Sequence, residues 1–166
     1  MKTKKTVIEA EPGKQEIFIT REFDAPRELV FRAHTDPELL VRWLGPREHT
    51  MKLERFDAKT GGSYRYIFRD KDGNEFGFRG VCHEVVPSQR IIQTFEFEGL
   101  PEKGHVALET MRFESLPDGR TRLIVQSVFQ SVVDRDGMIA SGMERCVNES
   151  HELLSELLEE VQTGLR

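Results

Sequence analysis

The sequence predicts a single α+β domain in which a curved antiparallel sheet of about seven strands packs around one long C-terminal helix. Three observations lead to this prediction. Hydrophobic and polar residues alternate over most of residues 50–130, as in half-buried strands. Glycine and proline turn signals separate these segments, and short connections make successive strands antiparallel. Over residues 136–163 the hydrophobic residues recur at spacings of three and four, which predicts a helix.

The N-terminal elements are predicted from alternation and from helix start signals. A first strand is expected at residues 16–23. Asp24 and the proline that follows it are expected to cap and begin a helix over residues 27–34. Asp36 and its following proline repeat this signal before a second short helix, residues 37–43.

The period-two pattern then predicts six strands, at residues 50–56, 62–70, 74–86, 89–98, 104–115 and 119–130. Asp72-Gly73 and Asp118-Gly119 are the strongest hairpin signals, because glycine accepts a positive φ. A helix laid across the concave side of such a sheet cannot fill the whole trough, so we expect a pocket beside it. Gly142 lies inside the predicted helix, where it costs about 1 kcal/mol relative to alanine. We interpret it as a close approach of helix and sheet, with room for a ligand beside Met143 as the alternative.

Length, charge and composition limit the function classes. A chain of 166 residues suits one domain, expected over residues 15–163 after a flexible tail at residues 1–14. The net charge of −5 disfavours a nucleic-acid binder, and the short cluster of Lys2, Lys4 and Lys5 fits a solvated tail. No apolar run is long enough to span a membrane, and no signal peptide is recognisable, so we expect a cytoplasmic protein with no membrane partner.

Neither a metal site nor a catalytic cysteine is predicted. The histidines show no paired spacing, and His83 adjoins Cys82 on a strand, which points the two side chains to opposite faces. We therefore expect no metal and no other cofactor. Cys82 and Cys146 are expected to be unpaired thiols, since no CxxC motif is present and the compartment is reducing. Cys146 lies close to the inward stripe of the long helix, which favours a buried small residue over a nucleophile.

Large apolar side chains share single faces of the predicted strands, as in a core and also in the wall of a ligand pocket. Together with residues of the helices they form the candidate ligand-binding set: Trp43, Tyr64, Tyr66, Phe68, Phe76, Phe78, Phe95, Phe97, Met111, Phe113, Gly142, Met143 and Val147.

Three segments carry a family likeness: ITREFDAPRELVFRAHTDPELLVRWLGP (19–46), GGSYRYIFRDKDGNEFGFRGVCHEVVPSQRI (61–91) and GMERCVNESHELLSELL (142–158). In this order they resemble the activator of heat-shock chaperone (Hsp90) ATPase homologue-like family, over about residues 15–162. The resemblance implies the helix-grip fold of the START/Bet v 1-like (SRPBCC) superfamily. The chain has Trp43-Leu44 where that family often has an aromatic pair, and Cys146-Val147 where it often has Gly-Trp, so ligand identity does not carry over.

The resemblance leaves three functions open, because a fold does not fix a function. The first is binding of a hydrophobic or amphipathic small molecule. The second is a module that docks on a chaperone; the family's chaperone activator has an additional N-terminal domain for which this chain has no room, which makes a chaperone the less favoured partner. The third is a cofactor-free enzyme of cyclase or hydratase type, which needs an acid/base group in the pocket. Its candidates by residue type are Glu84, Glu109, His83 and His151. A stress or detoxification role suits all three.

Overall fold

The computed structural model describes residues 5–164, and within them it confirms the α+β class. The strands are β1 (Val7–Glu9), β2 (Glu16–Phe23), β3 (Thr50–Phe56), β4 (Ser63–Arg69), β5 (Glu75–Val86), β6 (Arg90–Phe97), β7 (Val106–Leu116) and β8 (Arg120–Val128). The helices are α1 (Arg27–Thr35), α2 (Pro37–Leu40), α3 (Val132–Ala140) and α4 (Met143–Gln162). The strands form one antiparallel sheet in the order β1-β2-β8-β7-β6-β5-β4-β3.

Six strands, β3 to β8, follow one another as a meander, as the turn signals predicted. The three residues Pro117, Asp118 and Gly119 join β7 to β8, and the last two have positive φ angles of 66° and 71°. β2 pairs with β8 on the far side of the meander, so α1 and α2 carry the chain across to β3 at the opposite edge. The two helices therefore cover the face of the sheet that we call its inner face.

Strand β1 falls within the predicted tail, so that part of the tail prediction is wrong and the sheet has eight strands. Val7 pairs with Thr20 of β2. The hydroxyl of Thr6, just before the strand, lies 2.8 Å from Nδ1 of His151 on α4. A strand of three residues is too short for alternation to reveal it. Lys2 and Lys4 lie outside the described residues.

The short helices match the sequence prediction in place but not in every cap. Pro26, and not Asp24, is the N-cap residue of α1. Asp36 does cap α2, since its carboxylate accepts the backbone N–H of Glu38 at 2.9 Å. α2 ends at Leu40, three residues before the predicted end, and the chain continues in turns.

The predicted long C-terminal helix is present as α4, but its predicted start at residue 136 is wrong, because Ser141 and Gly142 separate α3 from α4. Gly142 has a φ of +87°, which L-residues with a side chain rarely adopt. A Cβ atom there would meet nothing within 4 Å, so the expected close approach of helix and sheet is also wrong. α3 begins earlier than predicted because the Ser131 hydroxyl accepts the Asp134 N–H at 3.0 Å.

The hydrophobic core fills only part of the space between the helices and the sheet. The C-terminal half of α4 buries Leu154, Leu157 and Leu158 against α1 and the inner face. The N-terminal half of α4 packs through Met143 and Val147 against a smaller cluster on β2 and β7. Between these regions the inner face of β4, β5 and β6 is left without a helix packed directly on it, and the cavity described next lies there.

Candidate ligand cavity

A cavity of about 930 Å³ lies between the inner face of the sheet and helices α3 and α4. This volume is at the upper end of the range for small-molecule sites, about 300–1,000 Å³. The predicted pocket beside the C-terminal helix is therefore present.

An aromatic wall forms one side of the cavity, with Phe78 of β5 at its centre. The ring centroid of Phe78 lies 5.4 Å from that of Tyr66 and 5.4 Å from that of Phe95, with near-parallel planes. Phe68 and Phe97 lie at 5.3 Å and 5.2 Å on its other sides. Cross-strand pairing brings these rings together from β4, β5 and β6, because Tyr66 and Phe97 are both direct partners of Phe78.

The structure brings all but one of the predicted site residues around this cavity. Those lining it are Trp43, Tyr64, Tyr66, Phe68, Phe76, Phe78, Phe95, Phe97, Met111, Gly142, Met143 and Val147. Trp43 also belongs to the core, where its indole N–H donates to the carbonyl of Ala33 at 2.9 Å.

Phe113 does not line the cavity, and its placement in the site is wrong. Its side chain is only 2% exposed and meets Phe31 and His34 edge to face, at centroid distances of 5.3 Å and 5.1 Å. It shares its face of β7 with Met111, as predicted, but β7 runs from the cavity into the core under α1. Alternation identifies the face of a strand and not the position along it.

One row of polar residues crosses the apolar inner face. Cys82 of β5 pairs with Gln93 of β6, Gln93 pairs with Glu109 of β7, and Glu109 pairs with Ser127 of β8. All four residues line the cavity, and we call them the polar row. The Gln93 amide donates to one carboxyl oxygen of Glu109 at 3.1 Å, and the Ser127 hydroxyl donates to the other at 3.3 Å.

Glu109 is a carboxyl group inside an apolar cavity. Burial raises the pKa of Glu109 above its ordinary value, and the hydrogen bonds from Gln93 and Ser127 oppose that shift only in part. Two tyrosines of β4 are close enough for the Glu109 charge to raise the pKa of each hydroxyl further. The Tyr64 hydroxyl donates to the carbonyl of Thr94 at 2.6 Å. The Tyr66 hydroxyl makes no protein hydrogen bond within residues 5–164.

The other acid/base candidates separate into cavity residues and surface residues. His151 lines the cavity, and burial lowers the pKa of its imidazole to about 3. His83 is exposed on the outer face, and Glu84 pairs there with Arg90. Glu109 is thus the one named candidate that combines a cavity position with a raised pKa.

Both cysteines line the cavity and both are unpaired, as predicted. Burial raises the pKa of the Cys82 thiol and of the Cys146 thiol. A raised pKa keeps a thiol protonated and unreactive at neutral pH. The two residues therefore provide small, weakly polar wall surface.

The cavity opens to solvent between two segments of the chain. Lining residues that are exposed include Leu100 and Pro101 in the β6–β7 loop, and Val133 on α3. We call this opening the mouth. His105 of the loop and Asp134 of α3 join its two sides, with Nδ1 and Oδ2 2.9 Å apart.

One family of known proteins matches most of the chain. The family model described as activator of Hsp90 ATPase homolog 1-like protein matches residues 24–159. The chain belongs to this family. The predicted resemblance is therefore confirmed, and no match is found among curated proteins.

Solved structures of similar proteins share the fold of this family member. A protein of Rhodobacter sphaeroides is 26% identical with a TM-score of 0.83, covering 93% of this chain and 98% of its own. A protein of Arthrobacter aurescens is 25% identical with a TM-score of 0.84, covering 93% and 91%. A protein of Chromobacterium violaceum is 28% identical with a TM-score of 0.72, covering 87% and 97%.

The departures from the family pattern noted in the sequence fall on the cavity wall. Leu44 stands where the family often has a second aromatic residue, and Cys146 and Val147 stand where it often has glycine and tryptophan. All three line the cavity. The volume and shape of the site in this family member are therefore set partly by its own residues.

Sequence reasoning missed Gln93, Ser127 and the mouth. Each member of the polar row is an ordinary polar residue in its own strand. Only the register of β6, β7 and β8 places Gln93, Glu109 and Ser127 side by side. The Ser131 cap with an acidic residue three positions later was a usable signal for α3, and hence for one side of the mouth.

Two kinds of feature are absent from the described residues. Residues 5–164 contain no group of three or more His, Cys, Asp or Glu side chains placed to hold a metal ion. No helix in that range is both long enough and apolar enough to cross a membrane.

Proposed function

We propose that the protein binds a hydrophobic or amphipathic small molecule in the cavity between the sheet and helices α3 and α4. The observation that supports this most directly is the 930 Å³ space beside the aromatic wall, which no described side chain fills. Protein interiors are normally close-packed, with few voids larger than a water molecule. Because empty apolar space destabilises a fold, a void of this size is best explained by a ligand that occupies it.

The construction of the walls supports the same proposal. The aromatic wall offers flat apolar surface, and the N-terminal half of α4 offers Met143 and Val147 opposite. Polar groups are few and lie together in the polar row. In a small-molecule site the lining is usually mostly apolar, and a few polar groups fix the orientation of the ligand. The mouth provides a route to solvent that a packed core lacks.

The test is saturable binding of Nile red, a neutral apolar dye, to the full chain and to Met143→Trp. Met143 is the first residue of α4 and lines the cavity, so the larger indole takes up ligand space. Overpacking of this kind costs about 1–3 kcal/mol, so we expect the dye affinity to fall about tenfold or more.

Ile139→Trp is the matched control. Ile139 lies on α3, is 39% exposed and is not part of the cavity wall. It should bind the dye like the unmodified chain. Equal dye affinity in Met143→Trp and in the control, with both variants folded, would contradict the placement of the site.

Two other functions give different results. An enzyme is favoured by one observation, the buried carboxyl of Glu109 among hydrogen-bond partners. A compound retained from the host in a native mass spectrum, and then changed in mass on incubation with the protein, would support that function. The family description raises chaperone ATPase stimulation. A saturable several-fold rise in the turnover of the host chaperone would support it.

A further inference from the structure

Among the described residues Glu109 is the one carboxyl group on the sheet side of the cavity, and no described cation lies beside it. The lining residues within the described chain include no lysine and no arginine. Burial lowers the pKa of His34 to about 4 and that of His151 to about 3, so both imidazoles are neutral at physiological pH. At the mouth, His105 is already paired with Asp134, and Glu102 adds a further acidic group.

The buried arginine of β2 does not change this balance. Arg21 is on the inner face but is not part of the cavity wall. It donates to the Thr6 hydroxyl at 3.3 Å, and the charge that acts on it is that of Glu152. Burial disfavours the ionised form of Glu109, and a positive ligand group beside it would offset that cost, so the site is complementary to a cation.

Three residues offer hydrogen-bond acceptors with free capacity in the same part of the cavity. Each Glu109 oxygen receives one protein hydrogen bond and retains capacity for another. The Gln93 amide uses its N–H group on Glu109, which leaves its carbonyl oxygen without a protein partner in residues 5–164. Tyr66 lines the cavity and is only 7% exposed, and its hydroxyl has no hydrogen-bond partner among those described residues. A primary ammonium carries three N–H donors.

The aromatic wall suits the same group. Aromatic ring faces attract organic cations, and the attraction is larger when the site is desolvated. Tyr64 and Tyr66 stack on one another and lie close enough to Glu109 for its charge to act on both hydroxyls, and Phe78 stacks on Tyr66. A carboxylate with neighbouring ring faces recognises a cation and repels an anion.

We propose that the cavity is selective for a hydrophobic amine, whose ammonium group is held by Glu109 with Gln93 and Tyr66 and whose apolar body lies against the aromatic wall. This inference rests on the proposed binding function and narrows it to one class of ligand. A fatty acid, equally apolar, would place a second carboxylate beside Glu109. A neutral alcohol would fit, but it would not offset the cost of ionising the buried Glu109.

The experiment compares octylamine, octanol and octanoate as competitors of bound Nile red on the full chain at neutral pH. Each of the three has eight carbon atoms, and they differ in the head group, which is an ammonium, a hydroxyl or a carboxylate. An alkylammonium has a pKa of about 10, as lysine does, so the amine is cationic under these conditions. We expect octylamine to bind about tenfold or more tightly than octanol, and octanoate to bind most weakly.

Glu109→Gln is the deciding variant, with Glu114→Gln, an exposed position on the same strand and outside the cavity wall, as the matched control. Glu109→Gln should lose the preference for octylamine over octanol while still binding Nile red, and Glu114→Gln should keep that preference. Octanoate binding as tightly as octylamine to the unmodified chain would overturn the inference, even if Glu109→Gln does not fold. An amine preference that survives in folded Glu109→Gln would overturn it as well.

The outcomes separate the two proposals. Binding of Nile red without an amine preference leaves the binding function standing and removes the amine selectivity. Failure of Nile red and of all three octyl compounds to bind removes both.

Discussion

Two buried histidines make the stability of the protein depend on pH. The Nδ1–H group of His34 donates to the Val30 carbonyl at 2.8 Å, which fixes Nδ1 as the protonated nitrogen of a neutral ring. Burial lowers the pKa of His34 to about 4 and the pKa of His151 to about 3. Both folded values lie below the ordinary value of 6.5. The unfolded chain therefore binds more protons as the pH falls below about 6.5, and the folded state loses stability in that window.

We expect the free energy of unfolding, measured with urea, to decrease between about pH 7 and about pH 5. His151→Gln removes one titrating ring and keeps an amide that can bond the Thr6 hydroxyl, so it should show a smaller decrease. His83→Gln, at an exposed position, should show the same decrease as the unmodified chain. If His151→Gln and His83→Gln respond alike, His151 is not the source of the pH dependence.

At the scale of single elements, the two glycines near the end of the chain have opposite roles. Gly137 lies within α3, and a Cβ there would meet nothing within 4 Å. Gly142 has equally open surroundings, but its φ of +87° breaks the chain between α3 and α4. The same substitution therefore tests helix propensity at one position and backbone strain at the other.

Gly137→Ala should raise the free energy of unfolding by about 0.5–1 kcal/mol, because alanine is the better helix former. Gly142→Ala should lower it by about 1–2 kcal/mol, because the left-handed conformation strains a residue with a Cβ. Urea unfolding of both variants measures the two changes. Changes of the same sign would show that the break at Gly142 does not require a positive φ in solution.

The elements also show how far sequence patterns can predict this fold. The meander was predictable because alternation and turn residues are local signals, and both act within each hairpin. The break before α4 was not, because Ile139 and Met143 are four residues apart and keep the helical spacing across it. The spacing of hydrophobic residues shows only which side chains face inward. It is the same whether or not Gly142 has a positive φ and breaks the helix.

For the candidate site the same distinction applies. The aromatic wall was predictable because its residues share strand faces, as with Tyr64, Tyr66 and Phe68. The exclusion of Phe113 depends on where α1 packs along β7, and the polar row depends on the register of four strands. Both depend on contacts between residues that are far apart in the sequence, so local sequence patterns do not predict them.

At the scale of the whole molecule, the mouth joins parts of the chain that are far apart in sequence. The β6–β7 loop and α3 meet there through His105 and Asp134, and α3 is in turn anchored by Arg135. The buried guanidinium of Arg135 donates to the Glu11 carbonyl at 2.7 Å. α3 is thus held to the N-terminal segment on one side and to the loop on the other, and the second contact is the exposed one.

The contact between His105 and Asp134 is expected to open as the pH rises. The hydrogen bond to Asp134, with the charge of Glu102 adding to it, raises the pKa of His105 above 6.5. Because the pKa of His105 is higher in the folded chain than in the unfolded chain, the contact stabilises the closed mouth fully at pH values below the unfolded pKa. It weakens as the pH rises through the folded pKa.

Nile red is neutral, so its rate of entry depends on the opening of the mouth and not on the charge of the dye. The stopped-flow association rate should rise several-fold across that transition. Asp134→Asn should give the fast rate already at low pH, while Glu144→Gln, at an exposed position near the start of α4 and outside the cavity wall, should follow the unmodified chain. An association rate that is independent of pH in all three proteins would show that this contact does not control entry.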